Sequence, residues 1–394
     1  MSRKAPIRKT KNQTHHGPDK VLLVFLLAMC VFGAIMIFDA SVYQANKVFN
    51  DQFYFLKFQL IWLALGSIPA LVVYLIDYRK TLKLALPGLV ITIVLLVLVL
   101  IFGDEVNGSK RWFEIGGLPP IQPAEFAKLV LVMYLASWLA KREHKYTKFE
   151  DALKKGFLSN LAGFLAILGA VAMLVVLEPD LGTTMVICVT AFTMFFVSGK
   201  DRAHTVGSIG IILLSIPLAI VAAILEPYRL SRVQTYLNLL LSGEVADPRG
   251  SGYQMQQILI GVGSGGFWGK GFGQSRQRFG YLVENTAFTD SIFAVILEEL
   301  GFWGGAIIVL SWILFLWRGF KVALTSVDTQ GRLLATGITI WLTVQAFFNM
   351  SANVGLIPLT GMPLPFLTYG GSSTIVTMIA FALLLNVSKY TKNE

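Results

Sequence analysis

Residues 21–38 read VLLVFLLAMCVFGAIMIF, a run without a single charged side chain. A helix crosses the hydrocarbon core of a bilayer with about 20 apolar residues, so this run is long enough to span a membrane. It is long for a secretory signal peptide, and the FDAS sequence at its end is a poor cleavage site for one. We therefore predict a retained first transmembrane helix.

Composition extends this prediction to the whole chain. Of its 394 residues, 55% are apolar and 14% are charged, whereas a soluble protein has about 25% charged residues. We predict an all-α polytopic membrane protein whose single membrane domain, residues 20–388, lies between tails at 1–19 and 389–394. Apolar runs predict ten spans, at residues 20–39, 55–76, 82–102, 124–140, 159–177, 181–198, 205–225, 291–317, 333–353 and 371–388.

The distribution of basic residues predicts the orientation. Most of the 33 Lys and Arg residues fall in the two tails and in alternate loops. Loops rich in Lys and Arg stay in the cytoplasm, so both termini are predicted to be cytoplasmic. The net charge of +10 then serves topology and anionic lipid, and nucleic acid is not an expected partner. The long loop between the seventh and eighth spans, residues 226–289, is predicted to lie outside.

The predicted outer face has no histidine and no cysteine. The four histidines, at positions 15, 16, 144 and 204, fall in the N-terminal tail or in cytoplasmic loops. A Ser-His-Asp triad, a cysteine nucleophile and a histidine-rich zinc site are therefore excluded on that face. Any base there must be a carboxylate.

Residues 252–301 contain the acids of greatest interest. Asp290 precedes an apolar helix, where the helix dipole favours an anion, and an ordinary helix N-cap is the alternative interpretation. Glu298 and Glu299 lie inside that helix, where burial demands a partner, so they form either a structural pair or a ligand site. Residues 256–273 are apolar but too short and glycine-rich to span, which predicts a re-entrant or interfacial segment.

A second cluster lies in the segment NGSKRWFEIGGLPPIQPAEFAKL. Gln122, Glu125 and Lys128 recur near one face of the starting fourth span. A lysine inside a span needs a counter-charge, so Lys128 forms either an ion pair with Glu125 or a site for an anionic ligand. Arg111 and Trp112 upstream suit a phosphate and a sugar face.

A third cluster, PLTGMPLPFLTYGGSS at residues 358–373, precedes the last span. Its prolines and glycines prevent a regular helix and predict an irregular segment near the outer surface. Ser372 and its glycine neighbours offer hydroxyl and backbone donors at a helix start, which suits an anion. A turn with serine caps is the simpler alternative.

Together these stretches resemble the SEDS family (shape, elongation, division and sporulation) of bacterial cell-wall proteins. LEPDLGT resembles the family motif QPDLGT, and TDSIFAVILEELG resembles its helix after the long outer loop. Within the family, GQSRQRFGYL and PLTGMPLPF are more similar to the division branch than to the elongation branch. The other matching motifs, in family order along the whole chain, are RW, PPIQPAEFAKL, ADPRGSGYQ and IGVGSGGFWGKGFGQSRQRFGYL.

The resemblance implies a peptidoglycan glycosyltransferase that polymerises lipid II on the outer face of the bacterial cytoplasmic membrane, in septal cell-wall synthesis. It assigns Asp290 as the catalytic residue. It also implies a divalent cation, Mg²⁺ or Mn²⁺, with unspecified ligands. The expected partners are lipid II, a class B penicillin-binding protein and other division proteins. The expected substrate contacts are Arg111, Trp112, Gln122, Glu125, Lys128, Lys270 and Ser372.

One segment departs from the family pattern. Where the family has Leu-Pro-Glu-Ala-His-Thr-Asp, this chain has LVENTAFTD, so the proline is lost and Phe288 stands in place of histidine. The role of Glu284 is therefore open. Two other functions also remain open: a lipid II flippase, which needs polar residues across the full membrane thickness, and a non-catalytic division scaffold, which does not need Asp290.

Overall fold

The fold is given by a computed structural model. It describes residues 17–106, 109–113, 120–142, 157–199, 202–225, 251–277 and 286–391, together with a few positions between 234 and 241. The tails at 1–16 and 392–394, and much of the loop at 226–289, lie outside the described residues.

The first third of the chain folds into four helices and a hairpin. The short helix α3 (Tyr78–Thr81) and a 3₁₀ turn (Leu82–Leu84) lead directly into α4 (Ala85–Phe102), so that residues Tyr78–Phe102 form one span. The hairpin strands pair antiparallel within the loop after α4. The elements are α1 (Lys20–Phe49), α2 (Tyr54–Leu75), α3 (Tyr78–Thr81), α4 (Ala85–Phe102), β1 (Asp104–Val106) and β2 (Ser109–Trp112).

The rest of the described chain is helical. Nine of the described helices are long and apolar enough to cross a membrane. The predicted span at 205–225 is occupied by the 24-residue helix α8 (Arg202–Leu225). The elements are α5 (Pro123–Lys141), α6 (Ser159–Leu177), α7 (Leu181–Ser198), α8 (Arg202–Leu225), α9 (Ser251–Gly265), α10 (Ile292–Thr325), α11 (Thr329–Asn353) and α12 (Gly371–Ser388).

Two helices are longer than their apolar runs. Helix α1 continues to Phe49 and ends at Asn50, whose φ of 52° is left-handed. Helix α10 continues to Thr325. The apolar runs end at 39 and 317, before the helices do, because hydrophobicity marks the part of a helix that lies in lipid, whereas the helix continues until a capping residue or turn stops it.

Three helices form the centre of the bundle. In their apolar windows, 67% of the residues of α5, 78% of α11 and 72% of α12 are buried inside the protein, against 17% for α2 and 22% for α6. The central helices therefore expose little surface to lipid. They also begin or end next to every cluster that the sequence marked as a candidate site.

Helix α10 is interrupted at Gly301, whose φ of 66° and ψ of −164° are not helical. The glycine-rich turn after α9 binds the backbone groups at this break. Lys270 N donates to Glu298 O and Gly271 N to Glu299 O, each at 3.0 Å, and Phe302 N donates to Gly266 O at 2.9 Å. Residues 256–273 thus form the end of α9 and a turn that packs against the break in α10, and the re-entrant or interfacial location of this segment stays a prediction.

The first and last helices meet at the same end of the bundle. Asp19, the N-cap of α1, donates its backbone N–H to Ser388 Oγ at 3.0 Å. Arg318 Nη2 lies 2.8 Å from the Asp19 carboxylate. This placement agrees with both termini lying on one side of the membrane, and the assignment of that side to the cytoplasm stays a prediction.

Candidate active site

Asp290 lies at the end of the bundle where α5, α7, α10 and α12 begin, which we call the site end. The sequence allowed Asp290 to be the N-cap of α10. That interpretation is wrong, because the helix starts at Ile292 and its N-cap is Ser291. Asp290 instead closes the turn that leads into the helix.

The Asp290 carboxylate is partly exposed, and Thr289 Oγ1 donates to its Oδ1 at 3.0 Å. Gly361 faces it with a φ of 70°, a backbone conformation that favours glycine. A Cβ on Gly361 would lie 3.9 Å from Asp290 Oδ2. The glycine therefore leaves space beside the carboxylate, which is what an approaching hydroxyl group needs.

The backbone of the turn is held by residues that the sequence analysis missed. Asn349 Nδ2 and Asn353 Nδ2 of α11 both donate to Asp290 O, at 2.8 and 2.9 Å. Thr368 Oγ1 donates to Thr289 O at 2.8 Å. The signal in the sequence was the spacing of Gln345, Asn349 and Asn353 at i, i+4 and i+8 in an apolar span, where a buried amide must have hydrogen-bond partners.

Lys128 forms a buried ion pair with Glu125. The distance from Nζ to Glu125 Oε1 is 2.6 Å, and the side chains are 3% and 2% exposed. Lys128 Nζ also donates to Gln345 Oε1 at 2.8 Å and lies 5.5 Å from the centre of the Trp341 ring. Of the two alternatives left open by the sequence, the ion pair is the one formed in this structure.

Gln122 and Ser372, which the sequence placed in two separate clusters, are in contact. Gln122 N donates to Ser372 Oγ at 3.1 Å, which joins the start of α5 to the start of α12. Gln122 Nε2 donates to Asp180 Oδ2 at 3.2 Å. Asp180 is the N-cap of α7 and accepts from Thr183 N at 3.0 Å. Both residues thus close the site end of the bundle.

Arg111 binds the end of α6. Its Nε donates to Glu178 O at 2.7 Å and its Nη2 to Pro179 O at 2.6 Å, where helix carbonyls attract a cation. Its neighbour Trp112 is half-buried and pairs with Asp104 in the hairpin. The Glu178 side chain is fully buried, and neither carboxyl oxygen has a hydrogen-bond partner among the described residues. Burial first, and then Asp180, raises the pKa of Glu178 to about 8, and Arg111 acts in the opposite direction.

Lys270, a predicted substrate contact, pairs with Glu298 and not with Asp290. Its Nζ lies 2.7 Å from Glu298 Oε1, and Glu298 follows Asp290 by eight residues, which is more than two helical turns. Ser275 Oγ donates to Glu298 Oε2 at 2.7 Å, and Ser275 N to Glu299 Oε1 at 3.0 Å. The two glutamates therefore hold the glycine-rich turn against the break in α10, which matches the structural alternative.

Residues 19–393 match the model of a protein family that is named after FtsW, RodA and SpoVE and described as cell cycle protein. The chain belongs to the FtsW/RodA/SpoVE family. Stage V sporulation protein E of Bacillus subtilis is 40% identical over 378 residues, which cover 95% of this chain and 98% of that protein. A probable peptidoglycan glycosyltransferase FtsW of Trichlorobacter lovleyi is 37% identical over 372 residues, which cover 94% and 93%.

Solved structures of FtsW/RodA/SpoVE relatives share the fold. RodA of Thermus thermophilus aligns with a TM-score of 0.66 and 27% identity over 96% of this chain and 98% of that chain. A chain from work on structural coordination of polymerization and crosslinking by a peptidoglycan synthase complex aligns with a TM-score of 0.73 and 27% identity, over 95% and 99%. The predicted family and the all-α polytopic fold are confirmed. The higher identity to FtsW and SpoVE agrees with the predicted branch.

The FtsW/RodA/SpoVE resemblance expected histidine where this chain has Phe288. Phe288 is 5% exposed and its ring lies 4.4 Å from that of Phe55 and 6.0 Å from that of Tyr369. Tyr369 N also donates to Phe288 O at 2.9 Å. The Phe288 side chain thus packs against these two aromatic rings next to the turn that contains Asp290. Glu284 lies outside the described residues.

Proposed function

We propose that this chain is a peptidoglycan glycosyltransferase that polymerises lipid II into glycan strands. The observation that carries the proposal is the placement of Asp290. Its carboxylate is partly exposed at the site end, beside the space left by Gly361, while its backbone is bound by two asparagines. A partly exposed carboxylate on a backbone that is held in place is suited to a general base. The relative from Trichlorobacter lovleyi carries the name of this activity.

The chemistry needs one base. Lipid II offers a sugar hydroxyl as acceptor and an α-linked lipid pyrophosphate as leaving group. A β-linked product requires a single inverting displacement, without a covalent intermediate. Asp290 takes the proton of the acceptor hydroxyl while the oxygen of that hydroxyl attacks the anomeric carbon. The bond to the pyrophosphate breaks at the same time, and the pyrophosphate leaves as a stable anion.

The leaving pyrophosphate needs positive charge more than it needs an acid. Arg111 and Lys128 are the proposed sources of that charge, with Trp112, Gln122, Glu125, Lys270 and Ser372 as further substrate contacts. In this structure Arg111 binds two backbone carbonyls and Lys128 binds Glu125 and Gln345. Contact with pyrophosphate would therefore require each cation to exchange a protein partner for a phosphate oxygen.

The resemblance implies a divalent cation, whose ligands are unspecified. Among the residues that the structure describes, no three His, Cys, Asp or Glu side chains are grouped to hold a metal ion. Mg²⁺ in phosphate chemistry relies on one or two carboxylates together with the phosphates of the substrate. A cation held in this way does not need three protein ligands, so the divalent cation stays a proposal, and no step of this mechanism runs through it.

A multi-pass membrane location follows from the fold and the family. We propose the division septum of the bacterial cytoplasmic membrane, with a class B penicillin-binding protein and other division proteins as partners. The similarity to FtsW proteins supports the septal role. The similarity to a chain of a peptidoglycan synthase complex supports a crosslinking partner.

Polymerisation of purified lipid II by the purified chain, with and without a class B penicillin-binding protein, tests the proposal. Asp290→Asn should abolish glycan strand formation while membrane insertion and the thermal midpoint in detergent stay unchanged. Asp51→Asn is the matched control, because Asp51 lies in the turn between α1 and α2, where its carboxylate pairs with the exposed Lys57 at 2.6 Å and accepts from Phe53 N at 3.0 Å. Full activity of Asp290→Asn would overturn the assignment of the base.

Two further measurements, of lipid II movement across liposomes and of cell division, separate the two alternatives. A flippase would move labelled lipid II across liposomes without polymerising it, and a scaffold would support division with Asp290→Asn in place. Glu125 and Lys128 lie in the first two turns of α5, and Glu298 and Glu299 in the first three turns of α10. This gathering of ionisable residues towards the site end favours chemistry at one surface over a path through the membrane.

A further inference from the structure

Three buried amide side chains follow one face of α11. Gln345, Asn349 and Asn353 are spaced four residues apart and each is 1% exposed. Residues at this spacing lie above one another on a helix, with a rise of about 6 Å per step. A buried amide without partners is costly in an apolar core, so the targets of these three groups indicate what they do.

Asn349 links two separate segments of the site end. Its Nδ2 donates to Asp290 O at 2.8 Å and to Met362 O at 2.7 Å. A primary amide has two N–H donors, so these two carbonyls use both of them. One side chain therefore sets the distance between the turn that carries Asp290 and the loop that carries Gly361.

Asn353 supports this arrangement from the next turn. Its Nδ2 donates to Asp290 O at 2.9 Å and to Asn349 O at 2.9 Å. In a regular helix the N–H of Ala294 would donate to Asp290 O, but here it donates to Ser291 O at 3.0 Å. The Asp290 carbonyl is therefore bound by side chains of α11, and the orientation of Asp290 is set from outside α10.

Gln345 extends the same connection to the buried cation. It accepts from Lys128 Nζ at 2.8 Å and donates from Nε2 to Pro363 O at 3.0 Å. Met362 and Pro363 are consecutive, so neighbouring carbonyls of one loop are bound by neighbouring turns of α11. The spacing between the Lys128 ammonium and the Asp290 backbone is set by α11 and this loop.

We propose that Asn349 is a positioning residue for Asp290, which orients the carboxylate towards the acceptor hydroxyl by binding Asp290 O and Met362 O together. This rests on the proposed function, in which Asp290 is the base. Asn349 is buried and acts on Asp290 through the backbone carbonyls that it binds. Displacement of a reacting group by about 1 Å can cost on the order of 10²-fold in rate.

Steady-state polymerisation of lipid II by the full chain tests this role. Asn349→Ala should lower kcat on the order of 10²-fold and leave KM for lipid II unchanged, because substrate contacts are not removed. Asn349→Leu also removes both N–H donors but keeps most of the side-chain volume. It should show the same loss of kcat, and it takes the place of Asn349→Ala in the test if the alanine variant folds poorly. Thr343→Val is the matched control, since Thr343 is buried on α11 and its hydroxyl has no partner among the described residues.

A double-mutant cycle distinguishes positioning from general destabilisation. Asp290→Glu keeps the carboxylate but moves it by one methylene group. Asn349→Ala should then lower kcat far less in the Asp290→Glu background than in the wild type, because the carboxylate is already displaced in that background. Independent, multiplicative losses would overturn the inference, as would wild-type kcat in both Asn349 variants. Full activity of Asp290→Asn would instead overturn the assignment of Asp290 as the base, and failure of the wild-type chain to polymerise lipid II would overturn the proposed function.

Discussion

Lys128 Nζ lies 2.6 Å from Glu125 Oε1 one turn away on α5, and the two side chains are 3% and 2% exposed. A complete ion pair is therefore enclosed at the centre of the bundle. Its geometry explains why a lysine is tolerated inside a span, since the charge is compensated locally. It also means that any role of Lys128 towards a phosphate involves loosening a protein contact.

Removing one member of this pair should destabilise the fold strongly. Lys128→Met leaves Glu125 buried without its cation, and breaking a buried pair in this way costs about 3–5 kcal/mol. The double variant Lys128→Met/Glu125→Gln should recover most of that loss, because no unpaired charge remains. Thermal unfolding in detergent measures both effects, and equal midpoints for the single and double variants would contradict this expectation. Wild-type polymerisation by the double variant would make Lys128 a structural counter-ion.

Glu178 should make stability depend on pH. Burial and Asp180 raise its pKa from 4.5 to about 8 in the folded protein, against the opposing effect of Arg111. The folded state then binds a proton that the unfolded state releases between these two values. The contribution of Glu178 is therefore full below pH 4.5, falls as the pH rises towards about 8, and is lost above it.

Glu178→Gln isolates this effect, because glutamine has the shape of the protonated acid and is the residue in the QPDLGT motif. The thermal midpoint of the wild type should fall relative to that of Glu178→Gln as the pH rises from 5 to 8. Other titrating groups are common to both proteins and cancel in the comparison. Parallel curves for the two proteins across this range would show that Glu178 does not hold the proton.

Gly301→Ala should disrupt the break in α10. Its φ of 66° is unfavourable for alanine, which costs about 1–3 kcal/mol. A Cβ there would also overlap backbone atoms of Gly269 and Phe267. Gly169→Ala in α6 is the control, because a Cβ there meets nothing within 4 Å, and alanine is the better helix former by about 1 kcal/mol. Similar midpoints for the two variants would exclude a special role for the break.

The Lys270–Glu298 pair should matter more than an exposed pair of similar length. Glu298 is 1% exposed and Lys270 29%, whereas Lys57 and Asp51 are 63% and 34% exposed at 2.6 Å. Lys270→Met should lower the midpoint clearly, because it leaves a buried carboxylate with fewer partners. Lys57→Met should change stability by no more than about 1 kcal/mol. A larger effect of Lys57→Met would contradict this ranking.

The sequence by itself determined the spans and the family. Helices α6, α7 and α12 lie at the predicted residues 159–177, 181–198 and 371–388. This succeeds because the requirement to cover about 30 Å of hydrocarbon with apolar side chains is met within each segment, without reference to the rest of the chain. The Glu125–Lys128 contact was accessible for the same reason, as three residues of helix bring the groups together.

Only the tertiary structure decided how the Asp290 turn is held and which acid Lys270 takes. Asn349 and Asp290 are 59 residues apart and Lys270 and Glu298 are 28 apart, and no local pattern joins them. In a bundle surrounded by lipid, hydrophobicity places each helix in the membrane but does not select its neighbours, because apolar faces pack against lipid and protein alike. The specific partners follow from the buried hydrogen-bonding groups, each of which must be satisfied across helices once the bundle has formed.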